Sequence, residues 1–127
     1  MQAEFKFYGR RMVRPEHLNS VNRLFGGTLL SWVDEEAYIF AKCQLRTPHL
    51  VTRHFSEVNF VSAAVQDDII EFGLYVVEFG TTSITVACRV RNKDSKKILI
   101  DIKRLVFVAV DKLGQPVPHG LGLDAAS

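Results

Sequence analysis

The residues of this sequence best suited to chemistry are the pair Gly26-Gly27 and the two carboxylates that follow, Asp34 and Glu36. Glycine just ahead of a helix lets a ligand approach backbone N–H groups that have no intrahelical partner. Such a helix start favours negative charge and suits the oxyanion of an acyl-transfer intermediate, each donor contributing about 2.7 to 4 kcal/mol. A glycine pair is equally an ordinary tight entry into a helix. Asp34 falls in line with Leu30, Ala37 and Ala41 on an apolar helical side. A carboxylate stripped of hydration there could act as base or nucleophile toward a carbonyl held at the helix start, or simply pair with an arginine. Glu36 projects beside Leu29, Val33 and Phe40 and is just as unexpected, so periodicity does not separate the two, whereas Glu35 sits on the polar face. Asn19, in the preceding loop, has an amide able to orient water or a carbonyl, although turn formation is the commoner use of asparagine.

The elements that must position these groups are a helix and a set of strands. Residues Gly27 to Gln44 hold no internal glycine or proline, and their types predict a helix. Ser31, Glu35, Tyr38 and Lys42 make its polar face narrow, so the helix must be covered on more than one side. A curved sheet, or a second subunit, would do this. Phe5 to Tyr8 reads as a short strand, and Pro15, Asn19, Ser20 and Asn22 mark a loop. After Pro48 everything reads as strand: His49 to Val61, Ile69 to Phe79, Ser83 to Arg91 after the turn Gly80-Thr81-Thr82, and Lys97 to Val110. Alternation puts Ile84, Val86, Cys88 and Val90 on one face, and its loss in Leu105 to Val110 predicts a bulge near Lys103 and Arg104 or burial on both faces. The order is α+β, one long helix wrapped by about five antiparallel strands.

A chain of 127 residues reads as a single domain, 1–127, with the Gly- and Pro-rich stretch from about 113 to 127 a loosely ordered tail. A net charge of +2 with scattered basic residues argues against a nucleic-acid partner. No apolar stretch is long enough to span a bilayer and no apolar block follows the charged start, so a cytoplasmic protein with no membrane partner is expected. Cys43 and Cys88 lie in apolar stretches without metal-ligand spacing, and none of the histidines has it either, so free buried thiols in a reducing compartment and no metal are expected.

The run Pro15, Asn19, Leu24-Phe25-Gly26-Gly27, Asp34 resembles the acyl-CoA thioester hydrolases of the hotdog fold, whose signature is an asparagine, a short loop, Phe-Gly-Gly and an aspartate at this spacing. The likeness continues through Val51-Thr52, Asn59-Phe60, Asp68, Gly80, Ser83 and Phe107-Val108-Ala109-Val110-Asp111. It implies a thioesterase with Asp34 as general base or nucleophile, a backbone amide at Gly26 or Gly27 on the thioester carbonyl, and Asn19 of a partner subunit holding water or substrate. Glu36 has no role in it. The resemblance also implies a homodimer as the minimal unit, extending to a tetramer or hexamer, no cofactor beyond the coenzyme A of the substrate, and a place in fatty acid metabolism. The turn Gly80, Thr81, Thr82, Ser83 is where the family approaches the coenzyme A portion, and His54 is expected near the substrate tunnel; an ordinary hairpin turn is the plain alternative for the former. Asn22 stands where the family has glycine, and a proline and glycine near Ala63 and Asp67 are missing, which bears on loop shape. Two other functions are compatible with the same frame, a non-catalytic acyl-CoA sensor and a hydratase or dehydratase; the latter resemble one another in a catalytic histidine that this helix does not carry.

Overall fold

The computed structural model describes residues 4–47 and 49–121. One helix, α1 (Gly26–Leu45), packs on an antiparallel sheet of strands β1 (Lys6–Met12), β2 (Leu50–Phe55), β3 (Asn59–Phe60), β4 (Ile69–Phe79), β5 (Ser83–Asn92) and β6 (Ile98–Ala109). The sheet order is β1-β4-β5-β6-β2, with β3 also paired to β6. This is the hotdog arrangement, with one more strand than the sequence suggests and a helix within a residue of its expected ends at both sides. Among the described residues no helix is long and apolar enough to cross a membrane.

The core forms where the inward face of each strand meets one stripe of the helix. Ile70, Phe72 and Leu74 of β4, Ile84, Val86, Cys88 and Val90 of β5, and Ile100, Ile102, Leu105 and Phe107 of β6 are all closed to solvent. They face Leu29, Val33, Ala37, Ala41 and Leu45, whose spacing is that of a single helical face. Alanine at two successive turns of that stripe lets the helix axis lie close to the sheet. The stripe is narrower than the sequence suggests: Ile39 is 52% exposed, and Leu30 and Phe40 are only partly buried.

A flat sheet could not cover a helix on more than one side, and the curl comes from bulges. On β6, Lys103 and Arg104 both lie opposite Ala87, because Val86 pairs with Leu105 while Cys88 pairs with Ile102. The bulge expected there is present. It also explains why the predicted strand His49 to Val61 is two strands rather than one: β2 pairs with the end of β6 and β3 with its start. At the gap the Ser56 N–H donates to the Arg104 carbonyl at 2.8 Å and the Ser56 hydroxyl accepts from the Arg104 N–H at 3.1 Å, so a side chain stands in for the broken ladder. Up to Leu121 the segment after β6 is fastened to the sheet, the Val117 N–H donating to the Ala109 carbonyl at 2.9 Å. The rest of the expected tail, 122–127, lies outside the described residues.

A further bulge, at Tyr8 of β1, sets Phe7 opposite Gly73 and Gly9 opposite Phe72. Gly9 thereby comes under the helix, where a Cβ would stand 1.9 Å from the Glu36 Oε1. Glu36 is held there by Arg11, whose Nη2 lies 2.9 Å from its Oε2 and whose guanidinium covers the Trp32 ring at 5.4 Å. Burial pulls the Arg11 pKa down, but hydrogen bonds to Glu36 and Glu35 outweigh this and leave it raised. Because the carboxylate is anchored, Gly9→Ala is expected to lower stability by about 1 to 3 kcal/mol, read as a lower Tm in thermal unfolding.

The outer sheet face holds a carboxylate that is fully buried. The Glu71 side chain is 3% exposed and accepts from the Arg91 Nε at 2.8 Å, with Arg10 Nε at 3.4 Å and Lys96 Nζ at 3.5 Å. Burial pushes its pKa up, yet the Arg91 hydrogen bond and the charges of Lys96 and Arg91 prevail and leave it below its ordinary value. A carboxylate whose folded-state pKa is the lower one contributes stability that is complete above the ordinary value of 4.5 and is lost as pH falls through the lowered one. Denaturant titration at pH 7 should therefore find Glu71→Gln less stable than wild type by about 1 to 3 kcal/mol, with the gap closing in strong acid.

Candidate active site

The loop before α1 is built around Asn19. Its side-chain oxygen accepts from the N–H groups of Val21 and Arg23, both at 3.0 Å, and its own N–H donates to the Arg23 carbonyl at 2.7 Å. Asn22 completes the turn at φ 60°, a left-handed conformation that asparagine tolerates, in the place where the family resemblance expects glycine. Asp67 takes φ 71° near the other missing glycine, so both loops keep the backbone form that glycine would supply.

This loop delivers the chain to α1 without a side-chain cap, since Phe25 occupies the N-cap and no acidic residue lies in the first turn. The first intrahelical bond is from the Leu29 N–H to the Phe25 carbonyl at 3.0 Å. The amides of Gly26 and Gly27 thus keep the unpaired donors of a helix start. Phe60 lies against Gly26, its ring 3.1 Å from where a Cβ would be, and space around Gly27 is open. Together Asn19, Arg23, Gly26, Leu29, Phe60 and Leu99 line a cavity of about 400 Å³.

Asp34 lies two turns along α1 and is half-buried rather than enclosed in the core. Its Oδ1 accepts from the Thr52 hydroxyl at 2.7 Å. That contact fixes the carboxylate from β2 and leaves its other oxygen without a protein donor among the described residues. The alternative of an arginine partner is taken instead by Glu36, through Arg11. Periodicity could not tell these carboxylates apart; their partners do.

Thr52 is the site residue that the sequence reading passes over. Strand alternation places Thr52 on the same side as the buried Leu50, and so toward the helix, although Thr52 itself stays exposed on this edge strand. The next residues reverse: the bulge at Arg53 puts Thr52 opposite Phe107 and His54 opposite Val106. Phe55 then packs against the core while His54 is exposed and outside the cavity lining.

Within one chain the expected residues therefore fall into three groups. Asn19 and Gly26 line the cavity, which Gly27 does not; Asp34, with Thr52, is a second cluster that does not line it, and His54 belongs to none of the groups. The turn of Gly80, Thr81, Thr82 and Ser83 is a third. There the Gly80 N–H donates to the Ser83 carbonyl at 2.9 Å, and the C-terminal segment covers the turn. The Ala109 N–H donates to the Thr82 carbonyl and the His119 N–H to that of Thr81. The His119 Nε2 lies 2.8 Å from the Ser83 carbonyl, which can only accept, so the proton is on Nε2, and Nδ1 accepts from the Leu121 N–H.

A thioesterase superfamily model matches residues 22–99, which spans the glycine pair, Asp34, Thr52 and strands β2 through β5. The chain belongs to the thioesterase superfamily. A protein of Bacillus subtilis strain 168 described as an uncharacterized acyl-CoA thioester hydrolase, YkhA, is 34% identical over 118 residues, covering 91% of this chain and 68% of its own length. An acyl-CoA hydrolase from Staphylococcus aureus, solved in complex with butyryl coenzyme A and coenzyme A, superposes with a TM-score of 0.77 at 30% identity, over 90% of this chain and 68% of that one. The hexameric thioesterase of Yersinia pestis gives a TM-score of 0.83 over 92% of this chain and 97% of its own, at 23% identity, and speaks for the fold.

The loop geometry makes a prediction about Asn19 that is independent of catalysis. Asn19→Ala deletes an acceptor for two backbone N–H groups and is expected to destabilise by about 1 to 2 kcal/mol, whereas Asn19→Asp keeps the acceptor and most of the stability. Parallel denaturant titrations of the two variants check it.

Proposed function

We propose that this thioesterase-superfamily chain hydrolyses acyl-CoA esters to free coenzyme A and a carboxylic acid, with Asp34 as the general base or nucleophile. The observation that carries this reading is the uncapped helix start at Gly26, opening on a cavity, with a half-buried carboxylate farther along the same helix held by a single hydroxyl. An acyl carbonyl whose oxygen meets the Gly26 and Gly27 amides has its developing negative charge stabilised as the tetrahedral intermediate forms. With Asp34 as base, water gives up a proton to the carboxylate as its oxygen adds to the carbonyl carbon. Collapse then breaks the carbon–sulfur bond, and the thiolate takes a proton back. The Thr52 hydroxyl orients the carboxylate through Oδ1 and leaves Oδ2 for that transfer. The atoms balance with water alone, so no metal or redox cofactor is invoked. The YkhA relative and the Staphylococcus aureus hydrolase, by their names, point to the same substrate class.

We place the working site between two copies of the chain. In support, Asp34 does not line the cavity that Asn19 and Gly26 share within one chain. β2 pairs on one side only, with β6, and forms an edge of the sheet on which Val51 is 43% exposed. A second copy adding its own β2 there would continue the sheet and bring the cavity loop of one chain toward the Asp34 of the other. A hexameric acyl-CoA thioesterase of known structure, 30% identical over 90% of this chain, supports assembly beyond such a pair. Cys88 is a buried free thiol as expected, whereas Cys43, on the open side of α1, is exposed; an exposed free thiol is in keeping with a reducing, cytoplasmic setting.

Thiol release from a series of acyl-CoA esters tests the reading. Asp34→Ala is expected to lower kcat by about a hundredfold to ten-thousandfold while sedimentation shows the same oligomer as wild type. Turnover unchanged in that variant would reject the assignment of Asp34.

A further inference from the structure

Arg23 is the one charged residue among those lining the cavity beside Gly26; the others are Asn19, Ser62 and apolar side chains. Among the described residues no carboxylate lies within ion-pair distance of it. Its guanidinium makes only long contacts, from Nη1 to the carbonyls of Val21 at 3.3 Å and Asn22 at 3.4 Å, which leave most of its donors free. Its backbone is pinned on both sides by Asn19, through the Asn19 Oδ1 at 3.0 Å and the Asn19 N–H at 2.7 Å, so the side chain starts from a fixed point at the cavity wall. The cavity's other polar side chains are neutral and engaged at their oxygens, although the Asn19 side-chain N–H groups make no hydrogen bond among the described residues. The Ser62 hydroxyl donates to the Ile98 carbonyl at 2.5 Å, and the Asn19 oxygen serves the loop. Arg23 is solvent-exposed, so it stands at the mouth of a mainly apolar cavity of about 400 Å³, and an unpaired guanidinium there beside an uncapped helix start suits an anion.

We infer that Arg23 receives an oxyanion of the substrate and so sets a preference for acyl chains that end in a carboxylate. The inference rests on the proposed thioesterase reaction, in which Gly26 holds the thioester carbonyl. Two parts of an acyl-CoA carry oxyanions, the far end of a dicarboxylic acyl chain and the phosphates of coenzyme A. Gly26 and Arg23 line the same cavity, three residues apart in the chain, so a group at Arg23 is within a short acyl chain's reach of a carbonyl at Gly26. The phosphates are separated from the sulfur by the whole pantetheine arm. Leu29, Phe60 and Leu99 supply the apolar walls that the methylenes between the two ends would cover.

The test compares glutaryl-CoA with pentanoyl-CoA, a pair matched in chain length and differing in the terminal carboxylate. For the full-length oligomer, the ratio of kcat/KM for glutaryl over pentanoyl ester should fall by about tenfold or more in Arg23→Gln, chiefly through KM, and recover in part in Arg23→Lys. The same fall should appear with the N-acetylcysteamine thioesters of the two acids, which lack phosphates. A loss shared equally by both CoA esters and absent from the N-acetylcysteamine esters would overturn the acyl carboxylate and assign Arg23 to a phosphate. Thiol release from both CoA esters with an unchanged ratio and unchanged KM in Arg23→Gln would overturn the inference and leave the thioesterase reading standing. No thiol release from any ester by the wild-type protein would overturn both.

Discussion

Everything in this molecule follows from having one helix and one sheet to bury each other. A twenty-residue helix with an apolar stripe needs a concave partner. The sheet becomes concave by carrying extra residues at Tyr8, Arg53 and Lys103–Arg104, together with a register slip at Val77 of β4. Each of these distortions is also a local re-aiming of side chains. The one at Tyr8 turns Gly9 under Glu36, the one at Arg53 separates the inward Thr52 from the outward His54, and the one on β6 cuts a long strand into β2 and β3. Curvature and site geometry are the same structural event seen at two scales.

The two carboxylates on α1 show how environment assigns roles that position does not. Glu36 and Asp34 are a half-turn apart on the same helix. One meets a guanidinium that is itself stacked on Trp32, and is thereby locked as a charged strut between helix and β1. The other meets a neutral hydroxyl, which orients it and leaves its charge uncompensated. A carboxylate kept without a cation is the one that the proposed reaction takes as its base.

Much of this was legible beforehand. Long stretches of residues with clear period, such as Gly27 to Gln44 and Ser83 to Arg91, were placed within a residue or so, because burial on one face leaves a strong mark in sequence. The broken edge at Ser56 was not, since it depends on a hydroxyl matching a bulge on a distant strand, and both halves are rich in strand formers. The signature from Asn19 to Asp34 singled out candidate residues but not their distribution in space: Asn19 and Gly26 meet in a cavity that Asp34 does not line. For Thr52, alternation along β2 gives the side it faces, but its partner Asp34 comes from another element and is seen only in three dimensions.

The free edge of β2 has a bearing on how this chain lives in a crowded solution. A row of unpaired peptide groups beside exposed Val51 will accept any extended segment that can lie along it, including those of unfolded neighbours. The bulge at Arg53 twists the strand and places a cation on that border, so a flat foreign strand meets both a poor fit and a charge. Promiscuous pairing is thereby discouraged, while a strand carrying the same twist and the same interruption is not. The distortion that curls the sheet around its helix is thus also of the kind by which edge strands are kept from pairing indiscriminately.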